Sequence, residues 1–286
     1  MTQGKPLETL IGLLNLEQIE ENIFRGHSPT DEHRIRVFGG QVAGQALVAA
    51  GRTVSAQRSV HSLHSYFLRP GDPAIPIVYL VDRIRDGRSF TTRRVVAVQR
   101  GEAIFQLSAS FQKPESGVEH QRTMPQVPEP ESLPTYAEAY APIAAEMGEW
   151  YTRPRPFEYR FVDKPNIGQA DSSHEPRQRV WLRADGTLGD DPLLHACVIA
   201  YASDLTLLES VVMPHNAFLG NKQRALASLD HAVWFHNAGR ADEWFLYDQE
   251  SPIATGARGL ARGLMYSQDG KLIASVVQEG LVRLAH

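Results

Sequence analysis

The sequence predicts an α+β protein built twice, and three observations carry that prediction. Residues 99–112 (QRGEAIFQLSASFQ) parallel residues 267–280 (SQDGKLIASVVQEG), and HSYFLRPG parallels HAVWFHNAG, at an offset of about 167–169 residues in both comparisons. A repeat of that size signals a duplicated domain, not a solenoid. Each half reads as one long helix followed by antiparallel strands. Between the halves, prolines 114, 125, 128, 130, 134, 142, 154 and 156 crowd a stretch that suits a connector over the surface, not a core element. The expected division is an N-terminal domain over 1–115, a Pro-rich connector over 116–155 and a C-terminal domain over 156–286. Two similar halves most simply pair their sheets side by side.

The elements follow in order. Leu7, Leu10, Ile11 and Leu14 share one face of an N-terminal amphipathic helix that runs into a strand. Val37 to Val54 reads as a helix opened by Gly39 and Gly40, with small inner positions at Ala43, Ala46 and Ala50. Such residues let another backbone approach closely, here that of a sheet expected to curl around the helix. SVHSLHSYFLRPGD is a strand ending in a Pro-Gly turn, and PIVYLVDRIRDG, SFTTRRVVAVQRG and EAIFQLSASFQK are strands joined by hairpin-type turns. The connector holds one helix-like run, Tyr136 to Trp150. The programme then restarts with PFEYRFV, RQRVWLRA, a second long helix and the strands SLDHAVWFHN, EWFLYDQESP, TGARGLARGLMYSQDG and KLIASVVQEGLVRL.

Composition bounds the function. The 286 residues are 42% hydrophobic and 22% charged, as in an ordinary globular protein with a sizeable core. A net charge of -4 without blocks of like charge argues against nucleic acid as the main partner. No stretch approaches the ~20 apolar residues of a membrane span, and the N-terminal run is not expected to be a signal peptide. The terminal LVRLAH is not a peroxisomal address of the Ser-Lys-Leu type. A lone Cys197 fits a reducing compartment, so the cytoplasm is the expected location.

The helix over Asp190 to Glu209 poses the chemical question. Asp191 is a ready N-cap and Pro192 suits the first helical position. Leu193, Cys197, Ala200, Tyr201, Asp204, Leu207 and Leu208 recur at spacings of three and four, which puts Asp204 inside a stripe that a helix would bury. An unpartnered carboxylate there is costly, so it is partnered, protonated or open to a cavity. On a strand, Leu272, Ala274, Val276 and Gln278 share the core-facing side, which makes Gln278 a polar amide among apolar neighbours. Ser228 is expected to share a face with Asp230, Ala232 and Trp234. His61 and His64 compete with Asp204 as general base. They form no metal-binding pattern, and neither a G-x-S-x-G elbow, a G-x-G-x-x-G turn nor a P-loop is present. Cys197 reads as a small buried hydrophobe. Arg88, Arg93, Arg94, Arg258 and Arg262 lie in matching strands of the two halves; solvated strand faces explain them, and docking of a phosphorylated ligand is the alternative.

In order along the chain, VFGGQVAGQAL, HSLHSYFLRPGD, IRDGRSFTTRRV, QLSASFQ, YASDLTLL, LDHAVWFH and VVQEGLVR resemble the bacterial acyl-CoA thioesterase II family, from about Leu7 to Arg283. The resemblance implies a double hotdog, in which each of two tandem domains wraps a curled sheet around a helix. It implies hydrolysis of fatty acyl-CoA to free acid and CoA by an Asp-Thr/Ser-Gln set that holds the attacking water. Matched motif by motif, these are Asp204, Ser228 and Gln278, with serine where many members carry threonine. No metal or organic cofactor is implied. Thioesters are activated toward water, so no covalent intermediate is required. Gly39 and Gly40 at their helix opening are candidate oxyanion donors, as is the central helix. His61, Arg94 and Arg258 complete the candidate substrate-binding set. Acyl-CoA is the expected partner, and exposed sheet edges with family habit suggest a homo-oligomer, dimer or tetramer. The competing readings are a hotdog hydratase or dehydratase built on a carboxylate–histidine pair and a non-catalytic acyl-CoA-binding protein.

Overall fold

The computed structural model describes residues 5–29, 35–164, 175–215 and 224–284, so the expected outer limits, residues 1 and 286, lie outside the described residues. In the first half, helix α1 (Pro6–Leu14) leads into strands β1 (Glu17–Glu20) and β2 (Ile23–Gly26). Helix α2 (Gly39–Gly51) is followed by β3 (Ser59–Phe67), β4 (Ile77–Asp86), β5 (Phe90–Gln99) and β6 (Glu102–Gln112). The middle holds short helices α3 (Tyr136–Tyr140), α4 (Ala144–Met147) and α5 (Glu149–Thr152). The second half has β7 (Phe157–Phe161), β8 (Arg177–Ala184), α6 (Pro192–Ser203), α7 (Glu209–Val212), β9 (Arg224–Ser228), β10 (Asp230–Phe235), β11 (Phe245–Thr255), β12 (Arg258–Ser267) and β13 (Leu272–Leu284).

All these strands join one sheet in the order β1-β2-β4-β5-β6-β3-β10-β13-β12-β11-β8-β7, with β9 paired to β13. The seam between the halves is the antiparallel pair β3–β10, in which His231 faces Ser65 and Val233 faces Leu63. The side-by-side pairing expected from the duplication is therefore what the chain does. Helices α2 and α6 lie against the sheet within the main apolar core, which makes the fold a double hotdog of the α+β class.

Helix α2 can take this place because its inner face is nearly smooth. It packs directly on α6: a Cβ added at Gly44 would lie 3.2 Å from the Cys197 carbonyl, and one at Gly40 only 2.5 Å from that of Tyr201. At the other end of α2, a Cβ at Gly51 would meet Leu193. The two helices thus run antiparallel, and the N-terminus of α2 stands at the C-terminus of α6.

Four expectations need correction. The helix read from Asp190 to Glu209 stops at Ser203; Asp204 is its C-cap, and a turn separates it from α7. The anticipated stripe does not exist either, since His195 and Cys197 to Ser203 are all buried. A helix with neighbours on every side shows no single apolar face. The run Tyr136 to Trp150 is broken into short pieces, with Pro142 in the 3₁₀ turn at Ala141–Ile143. Nor does the connector merely lie over the surface: Tyr140 is buried with its ring edge on Phe161, and the Pro128 carbonyl accepts a hydrogen bond from buried Trp181.

Candidate active site

Asp204, Ser228 and Gln278 come from three elements and meet at one point. Gln278 Nε2 donates to Asp204 Oδ1 at 2.8 Å and to Ser228 Oγ at 2.6 Å. Ser228 Oγ donates to Asp204 Oδ1 across a longer 3.4 Å. Gln278 is fully buried on the inward face of β13, as its alternation predicts, whereas Asp204 and Ser228 keep some exposed surface.

Ser228 reaches the site through an irregularity. It pairs with Gly280, yet Ala232 pairs with Val277, so Leu229 and Asp230 together stand opposite Glu279. The Leu229 N–H donates to the Glu279 carbonyl, and Asp230 Oδ1 accepts from the Glu279 N–H. This bulge re-aims the strand. Ser228 turns inward, and the expected face shared with Asp230, Ala232 and Trp234 is not formed. His231 and Val233 take the inward side, both at 0% exposure.

The first half supplies the wall. The Gly40 N–H hydrogen-bonds the Asp204 carboxylate, and a Cβ at Gly39 would lie 2.6 Å from Asp204 Oδ2 and 2.9 Å from the Phe67 ring. The positive end of α2 therefore faces an anion, the favourable sense of the helix dipole. Burial nevertheless dominates and pushes the Asp204 carboxyl above the usual carboxylate range, against the hydrogen bonds from Gln278, Gly40 and Ser228 that favour its charged form. A carboxylate so placed is a better proton acceptor near neutrality than an exposed one. The N-terminus of α6, capped by Asp191 on the Leu193 N–H, lies at that helix's far end.

A residue that the sequence reading passed over completes the cluster. His231 Nδ1 lies 3.1 Å from Gln278 Oε1, and its Nε2 lies 2.7 Å from Ser203 Oγ. The available signal was the strand pattern HAVWF, where His231 alternates with Val233 on the side opposite Trp234.

Other sequence candidates sit elsewhere. His61 bonds Ser110 Oγ at 2.8 Å and meets the Phe90 ring edge-on. By the offset of the duplication, His61 and Ser110 are the counterparts of Ser228 and Gln278, but where α6 ends in Asp204, α2 ends in Arg52. His64 is exposed against Trp234. Arg94 pairs with Asp82 and Arg258 with Glu279, both on solvent-facing strand surfaces. Arg262 likewise pairs with Glu250. Cys197 is buried, and burial pushes its thiol far up, so it offers no thiolate.

Comparison with known proteins gives consistent findings. A family described as "Acyl-CoA thioesterase" matches residues 155–281, and one described as "Acyl-CoA thioesterase N-terminal domain" matches residues 27–112. The chain is 40% identical to acyl-CoA thioesterase 2 of Haemophilus influenzae, covering 98% of each chain. It is 42% identical to mouse acyl-coenzyme A thioesterase 8, covering 95% of this chain and 88% of the relative. Among solved structures it resembles acyl-CoA thioesterase II TesB2 of Mycobacterium marinum, with 46% identity, a TM-score of 0.80 and coverage of 96% and 98%.

Proposed function

Because the chain belongs to the acyl-CoA thioesterase family, we propose that it hydrolyses fatty acyl-CoA to free fatty acid and CoA, with Asp204 as general base for water. The observation that carries this reading is the Asp204–Ser228–Gln278 triangle, a carboxylate with raised proton affinity held by two hydrogen-bonding side chains at the mouth of α2.

The steps follow from these groups. The 3.4 Å Ser228–Asp204 contact is the loosest edge of the triangle. A water bridging it gives a proton to Asp204 as its oxygen bonds to the thioester carbonyl carbon. Gln278 and Ser228 fix the position of that water, which removes part of the entropic barrier. Negative charge moves to the carbonyl oxygen, and at the Gly39–Gly40 opening of α2 the Gly39 amide is the donor left to receive it, the Gly40 N–H being engaged by Asp204. Such donors are typically worth ~3–4 kcal/mol each. The C–S bond then breaks, the CoA thiolate leaves, and the proton held by Asp204 returns to it or to solvent. No covalent enzyme intermediate forms.

The reading extends to organisation. Residues 1–115 and 156–286 act as two hotdog units joined by 116–155, with one catalytic set per chain in the second unit. The end strand β1 leaves a sheet edge that suits a homo-oligomer, whereas Thr135 of the connector bridges to Arg160 of the other end strand, β7; a lone buried cysteine suits the cytoplasm. Among the described residues, no helix is long and apolar enough to cross a membrane.

The test is release of free thiol from dodecanoyl-CoA. Wild type is expected to release CoA thiol stoichiometrically with free acid, and Asp204→Asn to lose that release while keeping its fold. Binding without thiol release by wild type refutes the hydrolase reading.

A further inference from the structure

A glutamine amide has two orientations that differ by a half-turn and exchange Oε1 with Nε2 at almost no steric cost. Only one of them serves the triangle, because Asp204 needs the Nε2 donor. While Asp204 is ionised it selects that orientation itself. Once it has taken the proton of water it becomes a donor, and the opposite orientation, with Oε1 toward Asp204, becomes competitive. Something else must hold the amide through that half of the cycle.

We propose that His231 is this positioning residue: its Nδ1–H holds Gln278 Oε1 and so keeps Nε2 turned toward Asp204 and Ser228, while the Ser203 hydroxyl sets the imidazole tautomer that makes this bond available. The inference rests on the general-base reading above and deepens it. The geometry carries it. His231 Nδ1 is 3.1 Å from Gln278 Oε1 and Nε2 is 2.7 Å from Ser203 Oγ, all among side chains at 0% exposure. Ser203 has one hydroxyl hydrogen and two acceptors in reach, His231 Nε2 and the Ala200 carbonyl at 2.8 Å. If the hydrogen goes to Nε2, the neutral ring carries its own proton on Nδ1 and donates to Gln278. If it goes to Ala200, a neutral ring turns a bare Nδ1 lone pair on Oε1, which is repulsive. Burial lowers the proton affinity of His231 and keeps the ring neutral, so the first arrangement is the satisfied one.

The surroundings hold the backbone of both His231 and Ser203 in place. Ser65 Oγ donates to the His231 carbonyl from across the seam. Tyr247 OH donates to the Ser203 carbonyl. Ser203 immediately precedes Asp204, so one turn of chain carries both the base and the group that orients its partner's partner. His231 itself does not touch Asp204 through any hydrogen bond; its action passes through Gln278.

The experiment is a double-mutant cycle with dodecanoyl-CoA, with kcat expressed per folded molecule from circular dichroism. His231→Leu is expected to lower kcat about tenfold to a hundredfold, the range that small misplacements of a reacting group cost, with KM within about twofold of wild type. His231→Asn places an amide N–H where Nδ1–H stood and is expected to restore most of the lost kcat. In a Gln278→Ala background, His231→Leu is expected to cost nothing further, because the two act as a unit. The same fold-loss in both backgrounds, or a wild-type kcat in His231→Leu, overturns the proposal. Should His231→Leu not fold, Ser203→Ala keeps the backbone and is expected to lower kcat severalfold, but not when Gln278 is already alanine; an unchanged kcat in Ser203→Ala overturns the proposal equally. Asp204→Asn run alongside separates the two readings. Wild-type turnover in that variant sinks the general-base assignment, whereas loss there with full activity in His231→Leu sinks only the role of His231.

Discussion

Gly39 and Asp204 are neighbours across the two halves of the molecule: a single methyl on Gly39 would stand 2.6 Å from Asp204 Oδ2. Real Cβ atoms do not approach oxygen so closely, so the carboxylate or the start of α2 must move. In a helix, Gly→Ala ordinarily stabilises by about 0.5–1 kcal/mol. At this position the usual gain is set against displacement of the proposed base. Gly39→Ala is therefore expected to fold with a Tm near that of wild type and to lose roughly 100-fold in kcat. Thiol-release kinetics with a thermal melt on the same sample check both halves of that statement.

Asp204→Asn is expected to lose activity and gain stability. General-base assistance contributes about 10²–10⁴-fold, and thiol release should fall by that order. The stability sign follows from the raised carboxyl of Asp204. The folded state holds the proton more tightly than the unfolded chain, so folding is favoured below the unfolded carboxylate value. That stability is lost as pH rises through the higher folded value. The asparagine variant carries no such loss, so its Tm advantage should be present at pH 8 and shrink toward about pH 4. For the same reason, the acid limb of kcat/KM in the wild type should lie above the range of an exposed aspartate.

Ser228 supplies a hydroxyl without a methyl. Ser228→Ala removes both its hydrogen bonds in the triangle and is expected to cost at least about tenfold in kcat by loosening the bound water. Ser228→Thr keeps the hydroxyl, adds a methyl and restricts χ1. Its kcat is expected to equal or exceed that of wild type, and a kcat below that of Ser228→Ala would show that the methyl does not fit.

Arg93 marks the contrast between the two halves. It points inward at 2% exposure, bonding Thr53, the carbonyls of Arg85 and Thr92, and Asp86. Arg93→Ala is expected to destabilise by about 2–3 kcal/mol through lost packing and hydrogen bonds. Asp86 is largely exposed, so leaving it unpaired adds little. Because the proposed catalytic set lies in the other half, kcat per folded molecule should stay at the wild-type value. Denaturant unfolding and thiol release together test this.

Local pattern was enough for much of the fold. Strand alternation put Gln278 on the buried face of β13, the Asp191–Pro192 pair marked the start of α6, and the small residues of α2 announced a close backbone, expected in the sheet but supplied by α6. These are short-range properties, set by backbone periodicity and by the volume of each side chain. The repeat offset likewise revealed two like halves before any contact was known. The sequence thereby determined the α+β class, the duplication and the presence of two polar residues, Asp204 and Gln278, that needed an explanation.

Only the tertiary structure decided how they are used. The end of α6 before Asp204 is set by α2 and the sheet packing around it, not by any helix breaker in YASDL. The bulge at Leu229–Asp230, which turns Ser228 inward and gives His231 the buried face, exists only because β9 and β10 pair with β13 in registers that differ by one residue. The facing of Gly39 and Gly40 toward Asp204 needs helices from different halves, about 160 residues apart in sequence, to run antiparallel. Periodicity within a segment carries no information about such partners, because register and helix direction are fixed by the packing of the whole core.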